Sequence, residues 1–220
     1  MSATRYKQLA ATAVLFLTVA SASGVAADVT YSGRAYGAQV KLINPNPNVL
    51  FFSDTGPLPS GGGSLSATLL TILLGNTLSS HTITASCSGG GGQANSSASQ
   101  EDALAFQGQP AQVTASVVSS QAHADCGGAS GSSVVTNLTF GGNVVTVTGQ
   151  TNQTVTILGV ATLIINEQIL GVGAPDITVN ALHLIVGTGE EVILSSSHSD
   201  VACSTRGSSA TWGKIKAIYR

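Results

Sequence analysis

The sequence predicts an all-β chain, built as an antiparallel β-sandwich or a partly closed barrel with Gly/Ser/Pro-rich loops. Apolar and polar residues alternate with a period of two through most of the chain, as in "QVTASVVSSQAHADC" (Gln112–Cys126). No long stretch shows helical spacing. Glycine and proline clusters recur at intervals that suit turns between strands.

The elements follow in order. Arg5 and Lys7 open the chain, an apolar run occupies Leu9–Ala20, and small residues at Val25-Ala26-Ala27 complete the three-part pattern of a secretory signal peptide over residues 1–27. The run is too short to span a bilayer, where about twenty residues are needed. The mature chain is then expected from Asp28, with an extracellular β-domain over residues 28–205 and a short basic tail over residues 206–220. "NPNPN", "GPLPSGGGS" and "CSGGGGQANSS" read as loops, because proline lacks a ladder donor and glycine runs hold strands poorly. "SQEDALAF" (Ser99–Phe106) is the one candidate helix. Gly141-Gly142 between "SSVVTNLTF" and "NVVTVTG" marks a tight hairpin. "DITVNALHLIV" and "EVILSSSHSDVAC", joined by "GTGE", form a second one. The longest later apolar run, "ILGVATLII" (Ile157–Ile165), reads as a buried strand, so no transmembrane segment is expected in the mature chain.

Charge is scarce. Without Arg5 and Lys7, six basic residues stand against ten acidic ones, and no Lys or Arg occurs between Lys41 and Arg206. Binding to nucleic acid needs clustered cations to neutralise phosphates. Nucleic acid is therefore excluded as a partner, and solubility must rest on Ser, Thr, Asn and Gln.

An exported chain favours disulfides. With Cys87, Cys126 and Cys203 at most one internal bridge forms. Cys87 and Cys126 each precede a glycine-rich loop, which makes Cys87–Cys126 the preferred pair and Cys126–Cys203 the alternative. Three segments, Ser79–Gly90, Ser119–Gly128 and Ser195–Ser204, each run from serines past a histidine to a cysteine, which would set three strand ends side by side.

Histidines and cysteines suit zinc, but no C-x-x-C or H-x-x-x-H spacing exists. On regular strands His81 shares a face with Cys87, and His198 with Asp200, whereas Cys203 opposes His198. No metal and no cofactor are expected. A Ser-His-Asp hydrolase lacks a G-x-S-x-G elbow, and Glu167, Asp176, Glu190 and Glu191 do not suggest a glycosidase pair. No catalytic residue is assigned. Asn166, Glu167 and Gln168 interrupt an apolar strand and are read as capping a strand end through bonds to a neighbouring loop.

The run "GSSVVTNLTFGGNVVTVTGQTNQTVTI…ATLIINEQI…ITVNALHLIV…EVILSSSHSDVAC" resembles the secreted bacterial choice-of-anchor P family. Its marks here are Asn166-Glu167-Gln168, the "VNALHL" segment with Asn180 and His183, and the last strand with His198 and Asp200. "GRAYGAQVKL" and "PSGGGS" add to the resemblance, which covers Tyr31 to Cys203. It implies an extracellular domain whose relatives carry differing C-terminal anchors, and it assigns no activity. After Cys203 this sequence has neither an LPxTG-like motif nor a hydrophobic tail. Release or non-covalent retention is therefore expected, with Arg206, Lys214, Lys216 and Arg220 available to touch anionic envelope polymers. The expected function is a secreted, non-enzymatic, structural or adhesive β-domain of the cell surface or matrix. The alternatives are a carbohydrate or other neutral-ligand binding module, an envelope hydrolase, and self-association through an exposed edge strand or through the spare cysteine.

Overall fold

The computed structural model describes residues 29–43, 47–173 and 175–203. The predicted signal peptide and C-terminal tail lie outside the described residues. Thirteen strands run in chain order: β1 (Val29–Leu42), β2 (Asn48–Asp54), β3 (Gly63–Leu74), β4 (Leu78–Gly90), β5 (Gln93–Ala105), β6 (Val113–Asp125) and β7 (Gly128–Thr136). Then come β8 (Thr139–Phe140), β9 (Asn143–Val144), β10 (Gln153–Ile157), β11 (Ala161–Leu170), β12 (Asp176–Val186) and β13 (Glu191–Cys203).

They form two antiparallel sheets packed face to face. The first has the order β10-β11-β12-β13-β1-β2; the second runs β3-β4-β5-β6-β8-β9, with β7 also pairing β6. No ladder joins the sheets among the described residues, so the sandwich forms and the partly closed barrel does not. At one side the sheets touch through Ser53, whose hydroxyl donates to the main chain of β3 at Ala67 O, 3.0 Å away.

Several expectations are corrected. Ser99–Phe106 is not a helix: β5 continues to Ala105. Its helix-like spacing arises at Asp102, which is in the left-handed region (φ 49°) and breaks the alternation for one residue. "CSGGGGQANSS" is not a loop either, since β4 and β5 run through it and only Gly91-Gly92 turns, both with positive φ. Gly89 is required there, because a Cβ would lie 2.9 Å from the Tyr31 side chain. The Gly141-Gly142 hairpin forms with strands of two residues each, because the segment before it turns back to pair β6 as β7. The Asp176–Val186 and Glu191–Cys203 hairpin forms as expected.

A row of lapsed pairing crosses each sheet. In the first it passes through Asn166, Ala181, Ser195, Gly37 and Ser53, which the otherwise continuous registers skip. Asn166, Ser195 and Ser53 there have φ between 50° and 54°. In the second sheet, pairing lapses at Leu70, Thr82, Asp102 and Ser116. Like a β-bulge, each such residue re-aims the side chains beyond it. His81 and Cys87 therefore do not share a face: Thr82 stands between them, His81 is exposed, and Cys87 is buried.

These creases divide the interior. On one side lies the large apolar cluster around Leu78, Phe106, Phe140, Leu163, Leu182 and Leu194. On the other the inward side chains are mostly small: Ala35, Ala85 and Ala98 pack together, flanked by buried Ser96, Ser120, Ser197 and Ser199, with Ile177, Val179 and Val201 in two minor apolar clusters. There the sheets bond directly. Ser195 Oγ donates to Val118 O (2.8 Å), Ser199 Oγ to Ala122 O (3.1 Å), and Ser96 Oγ to His198 O (2.6 Å). A serine side chain is two atoms long, so these bonds hold the backbones closer than the ~10 Å of a sandwich filled by larger residues.

Candidate functional site

The two outer faces differ in chemistry. The first sheet carries most of the charge. Arg34 on β1 makes a two-pronged pair with Asp54 on β2 (2.8 and 2.6 Å), and its guanidinium lies 4.3 Å from the Phe51 ring centre. This partner holds the Asp54 carboxyl below its usual range. Tyr36 meets Phe51 edge-on, and burial raises its phenol pKa. Lys41 bonds Glu191 at 2.7 Å.

Glu167, Asn180 and His183 converge on this face. Glu167 Oε2 accepts hydrogen bonds from Asn180 Nδ2 (2.7 Å) and His183 Nδ1 (2.9 Å). Asn180 and His183 are three apart and would face opposite ways on a regular strand; the crease at Ala181 brings them together. The two donors, His183 foremost, lower the Glu167 pKa against the opposing effect of burial. His183 Nε2 is buried without a partner, with Glu191 Oε2 3.9 Å away. In this arrangement the cluster ties β11 to β12.

His198 and Asp200 sit in neighbouring rows of the same face. His198 Nδ1 lies 3.1 Å from Thr178 Oγ1 and 3.3 Å from Asp176. Asp200 faces Asp176 across the ladder, and burial together with that neighbouring charge raises its pKa.

Asn166 and Gln168 flank Glu167 but serve other contacts. Asn166 Nδ2 reaches the carbonyls of Gly149 (3.3 Å) and Gln150 (3.4 Å), and Gln168 Nε2 donates to Gly131 O on β7 (2.9 Å). The triplet thus ties its strand to a neighbouring loop and to the facing sheet.

The preferred cysteine pairing is corrected. Cys126 pairs with Cys203, Cα–Cα 5.8 Å, and Cys87 is free and buried. Cys87 points inward from β4 and lies 3.5 Å from Thr55 Oγ1, while β5 separates β4 from β6. Cys126 follows the last residue of β6, where the end of β13 on the other sheet meets it.

The outer face of the second sheet has a different character. Its registers align side chains in three rows from β3 through β4, β5 and β6 to β7. One row is Ser66, Ser86, Ser97, Gln121 and Ser132; the next is Ser64, Ser88, Asn95, His123 and Ser130. The third holds Thr68, Thr84, Ser99, Ser119 and Val134. No Asp, Glu, Lys or Arg stands in them. Neighbours bond along the rows, as in Ser86–Ser97 (2.9 Å), Thr84–Ser99 (2.8 Å) and His123–Asn95 (2.8 Å). Across the first two rows lies an open trough of about 350 Å³. The sequence reading did not single out this face. Its signal is the run of serines and threonines two apart in five successive segments, but only the register turns them into rows.

No family model, curated protein or solved structure matches the chain.

Proposed function

We propose that the protein is an exported, non-enzymatic β-sandwich with a structural or adhesive role at the cell surface or in the surrounding matrix, which meets its surroundings through the three charge-free rows on the outer face of the second sheet. The observation that carries this reading is the division of the molecule. Charges and aromatic side chains gather on the first sheet, where most are engaged with one another, while the second presents three rows of hydroxyl and amide groups, several of them paired along the rows. Such a face stays hydrated and does not depend on counter-ions, so its contacts persist as ionic strength changes. The resemblance to choice-of-anchor P proteins and the predicted signal peptide support export. Binding of a carbohydrate or other neutral ligand is the second reading, favoured by the trough.

Fractionation of a bacterial host expressing the full chain tests the export claim. The reading expects a product beginning near Asp28 in the medium or surface fraction. An uncleaved chain confined to the cytoplasm contradicts it.

A further inference from the structure

We infer that the trough on the second sheet is a binding site for a single chain of a neutral polysaccharide, laid across the strands; this rests on the adhesive reading above. The trough draws its walls from two adjacent positions on each of β4, β5, β6 and β7, from Ser86 and Ser88 to Ser130 and Ser132. Its long axis therefore crosses the strands. At a spacing of ~4.8 Å, four strands give a length of about 14 Å, and two alternate positions on a strand give a width of about 7 Å. That shape admits an extended chain a few sugar rings long and excludes a bulky globular partner from its floor.

The lining chemistry selects the class. Ser86, Ser88, Ser97, Ser130 and Ser132 offer hydroxyls, each both donor and acceptor, and Asn95 and Gln121 offer one of each. A polyol presents the same ambivalent groups, so pairs form whichever way each hydroxyl turns. No Lys or Arg lines the trough, and its one ionisable side chain, His123, bonds Asn95 and lies 3.5 Å from the Asp125 carboxylate, so phosphates, sulfates and uronates meet no fixed cation there. No Phe, Tyr or Trp lines it either, and the one ring there is the His123 imidazole, held by Asn95, so each sugar contributes mainly hydrogen bonds, and useful affinity requires several sugars bound together. The twist of adjacent strands, about 20° each, removes a flat crystalline surface from the possible ligands and leaves a flexible chain that follows the twist.

The floor of the trough is packed tightly against the facing sheet. It includes Ala122 and Gly131, and a Cβ on Gly131 would fall 2.2 Å from the Val179 side chain and 3.0 Å from Gln121 O. Gln168 fixes the Gly131 carbonyl from the facing sheet at 2.9 Å. The trough therefore rests on a main chain pinned from below.

Affinity electrophoresis of the purified, disulfide-bonded chain through gels carrying soluble neutral glucans and mannans, or a polyuronate, tests the assignment. The neutral polymers should retard the chain equally at low and high salt, and the polyuronate should not. Ser97→Leu, which fills the trough, and Gln121→Ala should each weaken retardation about tenfold, the equivalent of one or two hydrogen bonds, with an unchanged melting temperature. Gln121→Asn should restore part of it. Retardation by the polyuronate alone, or equal retardation of the variants, overturns the site. If no neutral polymer retards the chain while beads coated with it still adhere to cells, the ligand assignment falls and the adhesive reading stands. If coated beads do not adhere either, both fall.

Discussion

Breaking the Cys126–Cys203 bridge is the perturbation whose size the structure fixes best. The bridge closes a loop with a sequence separation of 77 and joins the end of β6 in one sheet to the end of β13 in the other. Loop-closure entropy for that length is about 4.5 kcal/mol at 25 °C, an upper figure because the reduced chain retains some compactness. We therefore expect Cys126→Ala with Cys203→Ala to lose about 2–4 kcal/mol in urea unfolding followed by fluorescence or circular dichroism. The denaturant slope should rise, since the uncrosslinked chain exposes more surface on unfolding. Cys87→Ala removes only a buried thiol, so its cost should be about 1 kcal/mol. Mapping the linkage needs cleavage at acidic residues, because no Lys or Arg lies between Lys41 and Arg206 to separate the three cysteines. A bridge that includes Cys87, or a double variant as stable as the parent, refutes the reasoning.

The Glu167 cluster makes stability depend on acid. Its carboxyl titrates below the ordinary value of 4.5 because His183 and Asn180 donate to it, so its contribution is complete above that value and is lost as pH falls through the lower, folded one. Glu167→Gln should flatten the stability–pH curve below about pH 4.5, and Glu167→Ala should cost about 1–3 kcal/mol at neutral pH by stranding two donors; an unchanged acid limb in Glu167→Gln removes the cluster from the account. Inside the sandwich, Gln100 is fully buried and neither atom of its amide bonds to the protein. Gln100→Leu should thus be neutral or stabilising in thermal unfolding, by up to about 1–3 kcal/mol, whereas a clear loss would show that ordered water satisfies the amide.

Much of this architecture was legible in the sequence. Period-two alternation and turn residues suffice for an all-β sandwich, because strands buried on one face must alternate. The same rule misled where the backbone leaves the pleat. At Asp102 a left-handed residue makes a strand look helical, and at Thr82 one reverses the relation between His81 and Cys87. Asn180 and His183 meet for a like reason, and no pattern in "VNALHL" announces a crease at Ala181. Cysteine pairing failed differently: chain proximity to glycine loops says nothing about which strand ends are stacked across two sheets. Ser195, Ser197 and Ser199 of "SSSHSDVAC" proved to be the inward set, bonding the opposite main chain at Ser195 and Ser199, while Ser196, His198 and Asp200 face out.

The central claim is that the charge-free rows on the second sheet are the working surface. It is tested most directly by comparing two folded variants for adhesion of coated beads to cells: Ser86→Asp with Gln121→Glu, which charges that face, and Phe51→Ala, which alters the aromatic patch on the other. The account predicts that the first loses adhesion at low and high salt while the second keeps it. Adhesion that survives the first and fails in the second would contradict it.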